Sequence, residues 1–175
     1  MEIRHGGLGD VPAVLAMFDR AVAWLVGQGR VGQWGQEPFS RQAARVETVS
    51  GWARGGGMRI AMLDGRPAGC MALGAALGYV PPVEEPELYV QGLVTDRRFA
   101  GRGVGAALLE RAVAEAVQAG AGLVRVDCYA GGDGRLVRYY EGRGFVRAES
   151  FSVGGWPGQV LQRRVGPGAA GGPRP

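Results

Sequence analysis

The chain has 175 residues, 46% of them apolar, and a formal net charge of +4 with an isoelectric point near 9.6. That length suits one domain with a full-sized core, and no run of about eighteen apolar residues is there to cross a membrane. Every basic residue is arginine and lysine is absent, which excludes any site built on a lysine; the basic balance reads as compositional bias more than as a design for nucleic acid.

Taken in order, Met1–His5 lacks the basic-then-apolar layout of a secretory leader, so a cytoplasmic location is expected, and Ile3-Arg4 opens a short strand. Asp10-Val11-Pro12 reads as a helix start with Asp as N-cap and Pro just inside. Val14, Leu15, Phe18, Val22 and Leu25 then recur at helical spacing and predict a helix over about 11–27. A glycine-broken loop from Gly27 to Pro38 carries Trp34, and a second helix is expected from Arg41 to Ala53, stopped by Gly55-Gly56-Gly57. Met58–Leu63, then Asp64-Gly65, then Arg66 onward is a hairpin signal, with Leu73–Tyr79 continuing its second strand.

A proline-rich loop, 80–86, leads to a strand at Glu87–Thr95. Val104, Ala107, Leu108, Arg111, Ala112, Glu115 and Val117 form the next helix, ending at Gly120, and Leu123–Tyr129 is the next strand. Arg135–Glu141 is a short helix closed by Gly142 and Gly144. Phe145–Phe151 and Gln159–Val165 read as two final strands around the loop Gly154-Gly155-Trp156-Pro157-Gly158. Residues 166–175 hold only Gly, Ala, Pro and Arg and are expected to be disordered, which leaves one domain over 1–165. Cys70 and Cys128 sit in apolar runs and read as buried thiols; one His and two Cys make no zinc signature, so no metal is expected.

The chemistry concentrates at Gly101-Arg102-Gly103-Val104-Gly105, a glycine-dense turn between a strand and a helix. Helix N-termini present unpaired N–H groups and the positive end of the dipole, and glycines let a phosphate approach the backbone closely. A Walker A loop needs a lysine and fails. A dinucleotide fingerprint, Gly101-x-Gly103-x-x-Ala106 with Asp127 closing the next strand, fits the pattern. Against it, Asp96 to Ala100 separate strand from turn, and too little chain follows Asp127 for a doubly wound sheet.

The run Leu93-Val94-Thr95-Asp96-Arg97-Arg98-Phe99-Ala100-Gly101-Arg102-Gly103-Val104-Gly105-Ala106 resembles the acetyl-CoA motif of the Gcn5-related (GNAT) N-acetyltransferases. Downstream, Asp133 to Phe145, with Tyr140 four residues before Gly144, resembles that family's second motif. The resemblance implies an α+β fold: a mixed, mostly antiparallel twisted sheet of about seven strands flanked by four helices. It implies acetyl-CoA as co-substrate and an amine as acceptor, with no nucleic acid or membrane partner and room for a homodimer. Backbone groups of Leu93, Val94 and Thr95 would hold the pantetheine arm, with the Val94 N–H as oxyanion donor. Amides from Gly101 through Ala106 (Arg102, Gly103, Val104 and Gly105 between them) would hold the pyrophosphate, and Arg97, Arg98 and Arg102 would neutralise phosphates. Two positions depart from the family pattern: Ala100 replaces the usual Gln or Arg, and Asp133 replaces an Asn beside the cofactor, where it caps the helix without donating to the ligand.

Transfer to an amine also needs proton traffic. A lysine-like amine with pKa about 10.4 is only about one part in 2,500 neutral at pH 7, a deficit of roughly 4.6 kcal/mol, so a general base is expected. Glu87 and Tyr89 share a strand face by their spacing of two, which makes Glu87 the first candidate base and Asp127 the reserve. Tyr140, at the family's tyrosine position, is the candidate acid for the departing thiolate, with Tyr139 as packing. Trp34, Tyr89 and Asp127 are candidate acceptor contacts, with Trp24, Arg30, Glu37, Tyr79 and Trp156 nearby, and these aromatics suggest a small, partly apolar amine. A CoA-binding module without catalysis and a dinucleotide-binding oxidoreductase are the other two classes this pattern allows, the module ahead of the oxidoreductase.

Overall fold

A computed structural model describes residues 1–166, so the glycine–proline tail predicted over 166–175 lies, Gly166 aside, outside the described residues. Strands β1 (Glu2–His5), β2 (Met58–Leu63), β3 (Arg66–Gly74), β4 (Glu87–Thr95), β5 (Leu123–Tyr129), β6 (Val146–Val153) and β7 (Trp156–Arg164) form one sheet. Its order is β1-β2-β3-β4-β5-β7-β6. Every neighbouring pair is antiparallel except β4 and β5.

Helices α1 (Val11–Gly27) and α2 (Ala43–Arg54) cover one face, where Val14, Phe18 and Val22 meet Ile60, Cys70 and Val94. Helices α3 (Val104–Gln118) and α4 (Arg135–Glu141) cover the other, where Leu108, Leu109 and Val137 meet Met71, Val126 and Leu161. Seven strands and four helices in this arrangement match the expected architecture. Both cysteines are free and buried. Among the described residues no helix is long and apolar enough to cross a membrane.

Local chemistry moved several boundaries. Asp10 does not cap α1 with its side chain; its carboxylate accepts from the Gly7 N–H at 3.0 Å and pairs with Arg4 at 2.6 Å, closing the 3-10 turn Leu8–Asp10 instead. A 3-10 turn at Phe39–Arg41 precedes α2, which starts two residues later than predicted. The expected extension through Tyr79 stops at Gly74. At the chain's end, Gly154 and Gly155 both take positive φ, 56° and 82°, which a tight hairpin turn requires. The predicted five-residue loop is therefore a two-residue turn, and Trp156 opens β7.

Two irregularities position the site. Ala72 pairs with Gly92 but Leu73 with Val90, so Gln91 is the extra residue of a β-bulge in β4. Beside it, β4 and β5 pair only from Glu87–Leu123 to Val90–Val126. Beyond that point the strands part, leaving the β5-facing edge of β4 unpaired from the bulge to Thr95.

Candidate active site

The parting of β4 and β5 opens a cleft of about 1080 Å³ that runs through the sheet. Its lining comes from both faces: Thr95, Gly103–Ala106, Tyr139 and Tyr140 from the α3–α4 side, and Trp34, Trp52, Tyr79, Asp127 and Trp156 from the α1–α2 side.

Ladder phase decides which backbone groups of β4 face this opening. The Asp96 N–H donates to the Ala68 carbonyl at 2.9 Å, and hydrogen-bonded antiparallel pairs alternate. Val94, opposite Cys70, is therefore bonded to β3, and the N–H and C=O groups of Leu93 and Thr95 point into the gap. The Val94 N–H expected as oxyanion donor is thus already engaged within the sheet.

At one end of the gap lies the α3 N-terminus. Gly101 and Gly103 take φ of 77° and 75°, a left-handed conformation that costs other residues about 1–2 kcal/mol. The first turn closes with the Ala107 N–H on the Gly103 carbonyl at 3.0 Å, so the N–H groups of Val104, Gly105 and Ala106 stand open toward the cleft, at the positive end of the helix dipole. Gly105 has a steric reason too: a Cβ there would come within 2.4 Å of the Tyr139 hydroxyl.

The arginines expected to meet phosphates divide. Arg98 grips Asp96 at 2.7 Å, and Arg20 holds the same carboxylate at 2.6 Å. Burial alone would raise the Asp96 pKa, but these bonds outweigh it and hold it at about 2. Arg102 reaches Asp64 at 3.3 Å. Neither Arg98 nor Arg102 lines the cleft, whereas Arg97, stacked 3.8 Å over Trp24, does. Asp133, just ahead of the α4 N-cap Gly134, accepts from the Arg135 N–H at 3.0 Å and pairs with Arg30 at 3.4 Å; it also lies outside the lining.

On the α1–α2 face the two candidate bases have opposite surroundings. Glu87 is clamped bidentately by the fully buried Arg125, at 2.6 and 2.9 Å, and does not line the cleft. Arg125 also donates to the Pro81 carbonyl at 2.9 Å, anchoring the 75–86 connection. Both of its carboxylate oxygens are engaged by a guanidinium, and removing Glu87 would leave a buried cation unpaired at a cost of about 3–5 kcal/mol. Asp127 does line the cleft. Its carboxylate accepts from the Tyr89 hydroxyl at 2.5 Å and the Tyr79 hydroxyl at 3.3 Å. Burial raises its pKa, only partly opposed by those bonds. Tyr89 itself is fully buried and holds Asp127 rather than facing the opening.

On the other face, Tyr140 is buried against Phe145 and Tyr139, its ring centroid 6.0 and 5.3 Å from theirs. Desolvation pushes its phenol well above the ordinary value, so the group keeps its proton. Cys128 lines the same wall, its thiol pushed up to about 12 by burial.

The acceptor-side walls are laced together across the chain. The Trp156 indole donates to the Gln33 carbonyl at 2.9 Å and its ring lies 5.6 Å from Tyr129, while Trp34 packs edge-on to Phe18 at 5.3 Å. Glu37 is exposed and outside the lining. Sequence reading missed Arg45, Trp52 and Arg143, all of which line the cleft. Trp52 packs over Gly92, where a Cβ would fall 2.4 Å from the indole.

A model of the acetyltransferase (GNAT) family matches residues 21–145. Among curated proteins no sequence match reaches significance. Solved structures share the fold: ribosomal-protein-alanine N-acetyltransferase from Brucella melitensis aligns with TM-score 0.66 at 19% identity over 94% of this chain and 100% of that one. An agmatine N-acetyltransferase variant in its apo form gives 0.66 at 16%, covering 94% and 99%. An N-acetyltransferase from Staphylococcus aureus Mu50 gives 0.66 at 15%, covering 93% and 97%.

Proposed function

The chain belongs to the GNAT acetyltransferase family, and we propose that it moves the acetyl group of acetyl-CoA directly onto the amine of a small molecule. The observation that carries this reading is the cleft through the β4–β5 gap, with the α3 N-terminus on one side and Asp127 on the other. Its donor set fits the co-substrate. The unpaired groups of Leu93 and Thr95 suit the amides of a pantetheine arm, as an added strand would, and the open N–H groups of Val104, Gly105 and Ala106 suit a pyrophosphate. Arg97 and Arg143 add cationic character along the cleft.

Bound acetyl-CoA supplies an acyl group already activated as a thioester. Asp127 takes the proton from the acceptor amine, with the Tyr89 and Tyr79 hydroxyls fixing its carboxylate in place. Its raised pKa brings it closer to the amine's and makes it a better base than an ordinary exposed carboxylate. Tyr140, across the gap, holds a proton for the departing sulfur. One N–C bond forms, one C–S bond breaks, and one proton leaves the amine as another reaches the thiol. Glu87 has no part in proton transfer in this reading; it holds Arg125.

Calorimetric titration with CoA, acetyl-CoA and NAD, followed by an amine screen read by free-thiol release, tests the proposal. The expected result is binding of both CoA species but not NAD, and thiol release with at least one amine. Binding of NAD in place of CoA would contradict the family's cofactor here, and CoA binding without release on any amine would favour a non-catalytic module.

A further inference from the structure

The acceptor half of the cleft carries a charge pattern that a plain amine does not explain. One face of α2, Arg45, Thr48, Val49 and Trp52, lines it at the helical spacing of i, i+3, i+4 and i+7. Trp52 closes one end of this face over Gly92, and Arg45 stands at the other. Most arginines of this protein are paired with carboxylates, including Arg20, Arg59, Arg98 and Arg125. Arg45 has no carboxylate partner among the described residues. Its guanidinium is held instead 4.7 Å above the Phe39 ring, which is itself stacked 4.4 Å from Phe18. It is near enough to Tyr79 to act on that phenol's charge, and the Tyr79 hydroxyl bonds Asp127. Among the described residues Asp127 is the one carboxylate in the lining.

A base for an amine, aromatic walls and an unneutralised, ring-braced guanidinium in one half of the cleft specify a ligand with complementary parts. We propose that the acceptor is an amino-acid-like amine, a primary amine that also bears a carboxylate on an apolar or aromatic body, and that Arg45 binds the carboxylate. Among the described residues Arg97 and Arg143 are the other two cleft-lining guanidiniums without carboxylate partners: Arg97 lies in the turn that leads from β4 to the glycine turn, stacked on Trp24 of α1, and Arg143 lies 5.5 Å from the Tyr139 ring beside the cofactor side. Arg45 alone of the three comes from α2. The Phe39 ring beneath it restrains the guanidinium, and a planar fork recognises a carboxylate bidentately where an ammonium acts as a point charge.

This inference rests on the acetyl-transfer reading above, and its test separates the two. Acetyl-CoA binding is measured first. Thiol release is then followed with matched pairs: phenylalanine against phenethylamine, tryptophan against tryptamine, leucine against isoamylamine. The wild-type protein should favour the carboxylate-bearing member of at least one pair in kcat/KM by about tenfold to a hundredfold, the value of a charge-assisted hydrogen-bond pair. Arg45→Gln should collapse that preference to near parity through KM, and Arg45→Lys should restore part of it. Preference for the decarboxylated member, a preference that survives Arg45→Gln, or CoA binding with no turnover of any pair overturns the acceptor class while leaving the CoA site standing. Failure to bind acetyl-CoA removes the parent reading.

Discussion

The two halves of the cleft are built by different means. The cofactor half comes mainly from one contiguous stretch, Leu93 to Ala106, to which Tyr140 and Arg143 add side chains, and it works chiefly through backbone: a strand edge left unpaired and a helix terminus opened by left-handed glycines. The acceptor half is assembled from side chains of α1, its following loop, α2, β5 and β7, positions more than a hundred residues apart, such as Gln33 and Trp156. Backbone recognition tolerates side-chain change, provided the conformation survives. A site made of side chains is sensitive to single substitutions and free to diverge in specificity.

Substitutions should expose that asymmetry, and the largest effect is expected on the side-chain half. Asp127→Asn should lower kcat/KM by about 10²–10⁴ while leaving acetyl-CoA affinity intact. In the wild type, activity should fall as pH drops through a pKa above the ordinary carboxylate range, because burial raises the Asp127 pKa and only the ionised form is a base. The same shift has a stability sign. With the folded pKa above the unfolded one, the folded state favours the proton. The resulting stabilisation is full below the unfolded pKa and disappears as pH rises through the folded pKa. Above the folded pKa the charged Asp127 therefore weighs against folding, and there Asp127→Asn should show a Tm equal to or above wild type. An activity loss paired with a clear drop in Tm would mean the residue is structural. A smaller effect is expected on the backbone half. Gly103→Ala, forced to φ near 75°, should lose about 1–2 kcal/mol of stability and bind acetyl-CoA several-fold more weakly, with kcat near wild type once CoA saturates. An unchanged titration would sever the turn from the ligand.

That division also governs what the sequence could reveal. The glycine turn, the strand before it and the helix after it were legible because each is written in local chemistry, and the family resemblance runs through that contiguous stretch. The acceptor half was legible only in part. Trp34 and Asp127 reach the cleft as expected, but Arg45 and Trp52 carried no local signal; helical spacing places them on one face without saying what that face meets. The choice between Glu87 and Asp127 turned on the parallel register, Tyr89 opposite Arg125, which sets a guanidinium beside Glu87. No spacing within β4 predicts that. Which backbone groups of Leu93, Val94 and Thr95 face the gap is hidden for a similar reason: alternation along a strand is readable, but its phase is set by the bulge at Gln91 and the pairing with β3.

The central claim is that the parted strands hold acetyl-CoA by the free edge of β4, and amide hydrogen exchange resolved by residue tests it most directly. Without ligand, the Val94 N–H should exchange slowly, bonded within the sheet, while those of Leu93 and Thr95 exchange faster. Addition of acetyl-CoA should slow Leu93 and Thr95 markedly, slow Val104 to Ala106 at the α3 terminus, and leave Val94 unchanged. Saturating acetyl-CoA with no added protection at Leu93, Thr95 or the α3 terminus would contradict the account.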